Sequence, residues 1–314
     1  MSKRAILIYN PVARGAPHPE RLREAIDGLA GWEISIESTT ASAHATALAR
    51  EAAGAGLDAV VACGGDGTVN EVANGLAGSN TALAVVRGGT ANVWAKEVHV
   101  PKQPVRALAL LADGDVRTID LGRATWRAGD LGRAGERYFL LMCGVGFDAA
   151  IVRSLGGATK QRFGAASYIL GGALRLFSYR ATHAELRTDA EALSTKLYWL
   201  LAGNTRSYGG LLKITDRACA DDGKLDLCLL RTGGPAKFAW LAPLVMAGRH
   251  HRNVLYRHVD SLDIQTPGLP VQVDGEYLGD TPLRIEVAPA VLRVIVPRGL
   301  RSPLFGESAR SERV

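Results

Sequence analysis

The sequence is short of several features that would place it quickly. None of its four cysteines (Cys63, Cys143, Cys219 and Cys228) forms a CxxC pair or falls at zinc-ligand spacing. A disulfide framework is thereby set aside, and buried free thiols in a reducing compartment are the expectation. Aromatic residues make up only 6% of the chain, so aromatic stacking platforms are not expected. The longest weakly polar run, 163–177, contains Arg175 and several glycines, and is too short and too interrupted to span a bilayer. The opening MSKRAILIYN has no secretory apolar core and reads as a first strand. There is no GxxxxGK[ST], no GxGxxG after the first strand, no protein-kinase catalytic-loop set, no GxSxG and no HExxH. His250 and His251 are adjacent, but no partner ligand sits at suitable spacing, so a solvated helix end is expected there.

What the chain does have is glycine, 36 residues in 314, together with 47% hydrophobic and 22% charged residues. That composition suits a globular protein of two domains with tight turns and close backbone approaches. Lys and Arg outnumber Asp and Glu by 37 to 31, a net +6, which favours anionic partners. The basic residues are scattered rather than gathered into an arm, so nucleic acid is not expected as a partner.

Residues 1–122 alternate between strand and helix patterns, as in a mainly parallel sheet flanked by helices. Strands are expected at 4–9, 33–37, 57–63 and 82–86, and helices at 20–29, 42–53, 68–76 and 105–112. From about Asp120 the pattern changes to short strands separated by Asp222-Gly223, Pro267-Gly268, Asp274-Gly275 and Gly279-Asp280. Strands are expected at 138–143, 196–202, 225–231, 261–266, 270–273, 283–287 and 291–296, with helices at 165–177 and 237–247. The fold class is therefore an α/β first domain followed by a mostly antiparallel β-sandwich over 123–300. A tail, 301–314, returns toward the first domain.

Two glycine-rich loops carry the chemistry. The buried strand ending at Cys63 runs into Gly64, Gly65, Asp66, Gly67 and Thr68, where a helix begins; Thr68-x-x-Glu71 has capping-box spacing. Glycines at a strand-to-helix turn admit a phosphate to the main chain, and the helix N-terminus offers its N–H groups. Asp66 cannot itself attract phosphate, but a carboxylate there would hold Mg²⁺. The loop at Gly88-Gly89-Thr90 repeats the design, and the first strand ends at Asn10-Pro11. Glycine packing alone accounts for each loop taken singly. In an open α/β sheet, however, such loops face one crevice at the carboxyl ends of the strands.

GGDGTVNEV, with Asn10-Pro11 before it and GGTAN after it, resembles the diacylglycerol kinase catalytic family, which includes bacterial lipid kinases and the sphingosine and ceramide kinases. The resemblance extends through CGVGFDA at Cys143, YGG at Tyr208, CADDGKLD at Cys219 and VDGE at Val273. It implies an ATP- and Mg²⁺-dependent kinase acting on a hydroxyl of a diacylglycerol-like or other lipid alcohol. It further implies a cytoplasmic enzyme with a role in phospholipid metabolism and transient contact with the membrane surface. By position, Asn10, Thr39, Thr40, Gly64, Gly65, Asp66, Gly67, Thr68, Asn70, Glu71, Gly89 and Thr90 would surround the nucleotide. Asp66 would organise Mg²⁺, and Asp274 or Glu276 would take the proton from the lipid hydroxyl. A second, structural Mg²⁺ would lie at the DDG segment, held by Asp222 and the main-chain oxygens of Cys219 and Lys224. Asp120 matches an aspartate that relatives place in a network near the active site. Many relatives carry an acidic residue where this chain has Val93.

Asp274-Gly275 reads equally as a hairpin turn. Basic, apolar segments at 160–180 and 237–252 have the makings of interfacial helices, although packing on their own domain explains them as well. Two rival readings stay open: an NAD-kinase-like enzyme on a soluble substrate, and a non-catalytic lipid-binding protein on the same scaffold. The oligomeric state, a homodimer included, is also open.

Overall fold

The computed structural model describes residues 2–126, 134–154, 178–210, 212–306 and 312–313. Two compact units emerge. The first comprises Met1–Leu121, Ala220–Asp222 and Pro289–Val314, and the second Gly122–Cys219 and Gly223–Ala288.

The first unit alternates strand and helix: β1 (Lys3–Tyr9), α1 (Pro19–Asp27), β2 (Trp32–Ser38), α2 (His44–Gly54), β3 (Ala59–Gly64), α3 (Asp66–Leu76) and β4 (Ala82–Arg87). Two helices follow, α4 (Val93–Glu97) and α5 (Pro104–Asp113), before β5 (Asp115–Trp126). The strands lie in the order β2-β1-β3-β4, all parallel. Every residue of β3 is buried, which explains its uninterrupted apolar sequence: a central strand covered on both faces needs no polar alternation. On the edge, β2 has partly buried residues alternating with exposed ones.

The second unit is an antiparallel sandwich. It contains β6 (Gly135–Phe139), β7 (Met142–Gly146), β8 (Thr182–Thr188), β9 (Ala192–Leu197), β10 (Trp199–Gly203) and β11 (Leu225–Leu230). These are followed by β12 (Leu255–Val259), β13 (Ser261–Ile264), β14 (Pro270–Val273), β15 (Glu276–Asp280) and β16 (Leu283–Val296). One sheet runs β12-β11-β10-β7-β14-β15. Facing it, β16 pairs with β13, β13 with β8, and β8 with β9. Phe139, Val145, Leu186, Leu200, Leu227, Val271 and Ile285 are among the side chains that fill the core.

Several sequence expectations change. The strand expected at 196–202 is two strands in different sheets, because β9 pairs with β8 whereas β10 pairs with β7 and β11. The strands expected at 283–287 and 291–296 are the single β16, which passes from the second unit to the first. Its Ala290 adopts φ +53°, and the Ala290 amide donates to Oδ1 of buried Asp120 at 2.7 Å. That kink is what the sequence shows as a break. Residues 147–154 are helical, which the pattern did not suggest. The helix expected at 165–177 lies outside the described residues.

Candidate functional site

In the first unit the two glycine loops are packed against each other. A Cβ on Gly89 would stand 2.5 Å from the Gly65 Cα, and one on Gly88 would stand 2.9 Å from the Gly64 Cα. The Gly88 amide donates to the Gly64 carbonyl at 2.8 Å, and the Gly15 amide donates to the Gly88 carbonyl at 2.9 Å. These glycines are therefore needed for backbone-to-backbone contact between the loops.

The capping box expected at Thr68 and Glu71 does not form. Helix α3 starts two residues earlier, with Gly65 at the N-cap position and no side chain capping it. Thr68 instead accepts a hydrogen bond from Asn10 Nδ2 at 2.9 Å. Glu71 Oε2 accepts the Ala45 amide at 3.1 Å, and so caps α2, whose own N-cap residue Ala43 is left-handed and has no capping side chain. Asp66 does the same for α4. Its Oδ1 accepts the Val93 amide at 2.6 Å, and the Asn92 and Trp94 amides also stabilise the carboxylate. Burial nevertheless raises the Asp66 pKa above its ordinary value. Both carboxylates of the motif thus hold neighbouring helices from a distance. The Val93 side chain is buried, so this position meets Asp66 through its main chain and not through a carboxylate of its own.

Around the loops, the Asn10 amide donates to the Cys63 carbonyl, and Asn10 Oδ1 accepts the Val12 amide at 3.1 Å. The Thr39 amide donates to the Tyr9 carbonyl, and the Thr40 amide donates to His44 Nδ1 at 3.1 Å. Asn70 is buried and accepts from Asn74. Asn92, in the left-handed region at φ +47°, closes the second loop by accepting the Gly89 amide at 2.9 Å. An uncapped α3 N-terminus beside Gly64, Gly65 and Gly67 leaves an electropositive end suited to phosphate.

In the second unit, Asp274 sits in the turn between β14 and β15 at φ +47°, followed by Gly275 at φ +80°. Three successive amides converge on its carboxylate: Leu140 donates to Oδ2 at 2.9 Å, while Leu141 and Met142 donate to Oδ1 at 3.0 and 2.8 Å. Burial pushes its pKa up to about 6, although the three amides and Arg137 pull it down. Glu276 forms an ion pair with Arg137 Nη2 at 2.7 Å. The hairpin reading and the chemical reading of Asp274-Gly275 therefore coexist.

Asp148, the acid of CGVGFDA, has no role among the sequence expectations. That aspartate is 1% exposed and accepts from Gln272 Nε2 at 2.9 Å and from the Ala149 amide at 2.8 Å. Burial raises it to about 7. Gly144 makes room for it: a Cβ there would lie 2.1 Å from Asp148 Oδ2. The motif's first glycine, followed two residues on by Gly146 at φ +96°, was the available signal.

At the DDG segment, Asp221 Oδ1 accepts the Gly306 amide at 2.7 Å, and Gly223 is left-handed at φ +73°. The Lys224 ammonium pairs with Asp260, and Cys219 is a partly buried thiol that forms no disulfide. Asp216 joins His250 and His251, contrary to the expectation that no ligand partner accompanies them. The three donor atoms lie within 4.8 Å of one another. Hydrogen bonds account for much of the group: His250 Nε2 pairs with the Ile214 carbonyl at 2.8 Å, and His251 Nε2 contacts Asp216 at 3.0 Å. No helix among the described residues is long and apolar enough to cross a membrane.

Comparison with known proteins agrees with this arrangement. Residues 4–124 match the diacylglycerol kinase catalytic domain, and residues 142–296 match the YegS C-terminal NAD kinase beta sandwich-like domain. The chain is 29% identical over 304 residues to the diacylglycerol kinase of Bacillus subtilis, covering 94% of this chain and 97% of that protein. It is 33% identical over 287 residues to a probable YegS-like lipid kinase of Pseudomonas aeruginosa, covering 90% of each. A crystal structure of a diacylglycerol kinase from Bacillus anthracis superposes with a TM-score of 0.66 at 20% identity, covering 94% of this chain and 97% of that one. The chain belongs to the family of diacylglycerol kinases and YegS-like lipid kinases, and it is a lipid kinase.

Proposed function

We propose that the chain transfers the γ-phosphoryl group of ATP to a hydroxyl of a diacylglycerol-like or related lipid alcohol, with Asp274 as the proton acceptor. The observation that carries this reading is the Asp274 carboxylate, fixed by three main-chain amides and poised near pH 6. A base of that strength is ionised at neutral pH and still accepts a proton as the lipid oxygen bonds to phosphorus and ADP departs. Glu276 and its Arg137 partner flank the turn, so Glu276 is the second carboxylate for which this role is proposed.

The nucleotide is assigned to the loops of the first unit: Asn10, Thr39, Thr40, the run from Gly64 to Thr68, Asn70, Glu71, Gly89 and Thr90. The uncapped N-terminus of α3 supports phosphate there. Asp66 is the residue of this unit that would hold Mg²⁺, which neutralises phosphate charge when bound. One carboxylate suffices for an ion that takes its remaining ligands from water and phosphate. Asp222 with the carbonyls of Cys219 and Lys224 is proposed for a second, structural Mg²⁺, and the left-handed Gly223 supports it by turning the segment tightly.

Labelled ATP offered with a lipid panel tests the reading on wild type and Asp274→Ala. A labelled lipid with wild type alone is expected. Lipid-independent labelling of NAD would replace the reading with a soluble-substrate kinase. Lipid binding without transfer, unchanged in the variant, would leave only a binding protein.

A further inference from the structure

We propose that the helix Pro235–Met246 is a docking element for an anionic lipid bilayer. The inference rests on the lipid-kinase reading for its choice of partner, since such a substrate resides in a membrane.

The helix is apolar on both sides, for two different reasons. Its inner side is packed: Leu241 and Val245 are buried, and Phe238 meets Phe147, Tyr198 and Trp199 with ring centroids 5.1, 5.9 and 5.9 Å apart. Its outer side follows helical spacing through Ala236, Ala239, Trp240, Pro243 and Met246, and every one of these is exposed. Trp240 is 49% exposed and Met246 79%. A surface helix of a water-soluble domain ordinarily turns polar residues outward. This one has none on that stripe.

Along the chain the flanking charge is one-sided, although Arg257 is paired with Glu191. From Arg231 to Val259 there is no Asp or Glu, whereas Arg231, Lys237, Arg249, Arg252 and Arg257 all fall in that stretch. Lys237 holds its ammonium 4.6 Å from the Trp240 ring centroid, and Arg249 and Arg252 are exposed just beyond the helix. An exposed apolar stripe with a tryptophan, flanked by Lys237, Arg249 and Arg252, fits the boundary between headgroups and acyl chains of a negatively charged bilayer; the acid near the end of the helix, Asp216, is held by His251. The aromatic packing beneath the helix gives the stripe a rigid base, so docking costs little ordering.

The full chain is sedimented with phosphatidylcholine vesicles with and without 30% phosphatidylglycerol. Wild type is expected to bind the anionic vesicles, and Trp240→Ser/Met246→Ser to bind them at least about tenfold more weakly. Arg249→Gln/Arg252→Gln is expected to lose several-fold on anionic vesicles only. Ala239→Glu, an exposed change that disturbs no core contact, is expected to weaken anionic binding likewise, and stands in should the double variant fail to fold. Equal binding by wild type and the folded stripe variants overturns the proposal. So does a vesicle-free dimer that the stripe variants dissolve, since a second copy would then cover the face. Activity on a short-chain, water-soluble diacylglycerol is expected to be unchanged in the stripe variants. If wild type phosphorylates neither form of lipid, the kinase reading fails while the vesicle result still decides the docking surface.

Discussion

Gln272 donates from Nε2 to Oδ2 of the buried Asp148 across 2.9 Å, and its Oε1 accepts the Gly275 amide at 2.7 Å. One carboxamide therefore ties a buried acid to the turn that carries Asp274. Gln272→Ala removes both bonds. A buried carboxylate deprived of a donor costs about 1–3 kcal/mol, so the urea midpoint is expected to fall. Because the Asp274 turn also loses one of its anchors, kcat is expected to fall by more than KM rises. Lost stability with unchanged kcat would reduce Gln272 to packing alone.

Asp148 also predicts how stability depends on pH. Its pKa rises from the ordinary 3.8 to about 7 in the folded chain. Between those values the folded state binds more protons than the unfolded one, so stability falls as pH rises from about 4 to about 7 and levels off above. The full shift corresponds to roughly 4 kcal/mol. Asp148→Asn cannot titrate, and its urea midpoint is expected to decline less over this range than that of wild type. Parallel profiles for the two proteins would contradict the assignment.

Asp274 predicts the pH dependence of catalysis. The base must be ionised, so kcat/KM should fall about tenfold per pH unit below about 6 and reach a plateau above it. Asp274→Asn keeps the shape of the side chain and removes the base; a loss of at least 100-fold, with no ascending limb near pH 6, is expected. An ascending limb that persists in this variant would move the role to Glu276.

The fold class was legible because β3 is apolar throughout while the second half alternates between short strands and Asp-Gly or Pro-Gly turns. Sequence patterns lost accuracy where a tertiary partner sets the local geometry. Asp120 binds the Ala290 amide from 170 residues away, so one kinked strand read as two. Thr68-x-x-Glu71 has capping spacing, yet Asn10 and Ala45 claim those side chains. Likewise Asp216 reaches His251 only through folding. Asp148 was visible in the sequence as a letter of a motif, but its burial and its link to Gln272 were not.

The loop glycines make a steric prediction with an internal control. Gly89→Ala would set a Cβ 2.5 Å from the Gly65 Cα, a backbone atom with little freedom to retreat. Overpacking of this kind typically costs 1–3 kcal/mol, so Gly89→Ala is expected to lower the melting temperature and to raise KM for ATP. Gly54, the last residue of α2, has nothing within 4 Å of its Cβ direction and an ordinary φ. Gly54→Ala should therefore stabilise the chain by up to about 1 kcal/mol and leave kinetics unaltered. If both substitutions behave alike, loop-to-loop contact is not what requires the glycine.

The two capping carboxylates separate structure from chemistry. Glu71→Ala leaves the first turn of α2 without its acceptor and should cost about 0.5–2 kcal/mol, an effect that Glu71→Gln largely avoids because its amide oxygen still accepts from Ala45. At Asp66 the same pair of substitutions is expected to diverge. Asp66→Ala uncaps α4 and should destabilise the chain, whereas Asp66→Asn retains an oxygen for the Val93 amide and should fold nearly as well as wild type. A carboxylate that also holds Mg²⁺ cannot be replaced by a neutral amide, so Asp66→Asn is expected to lose phosphoryl transfer by 100-fold or more, with higher Mg²⁺ partly restoring it. Full activity in a stable Asp66→Asn protein would restrict Asp66 to capping α4.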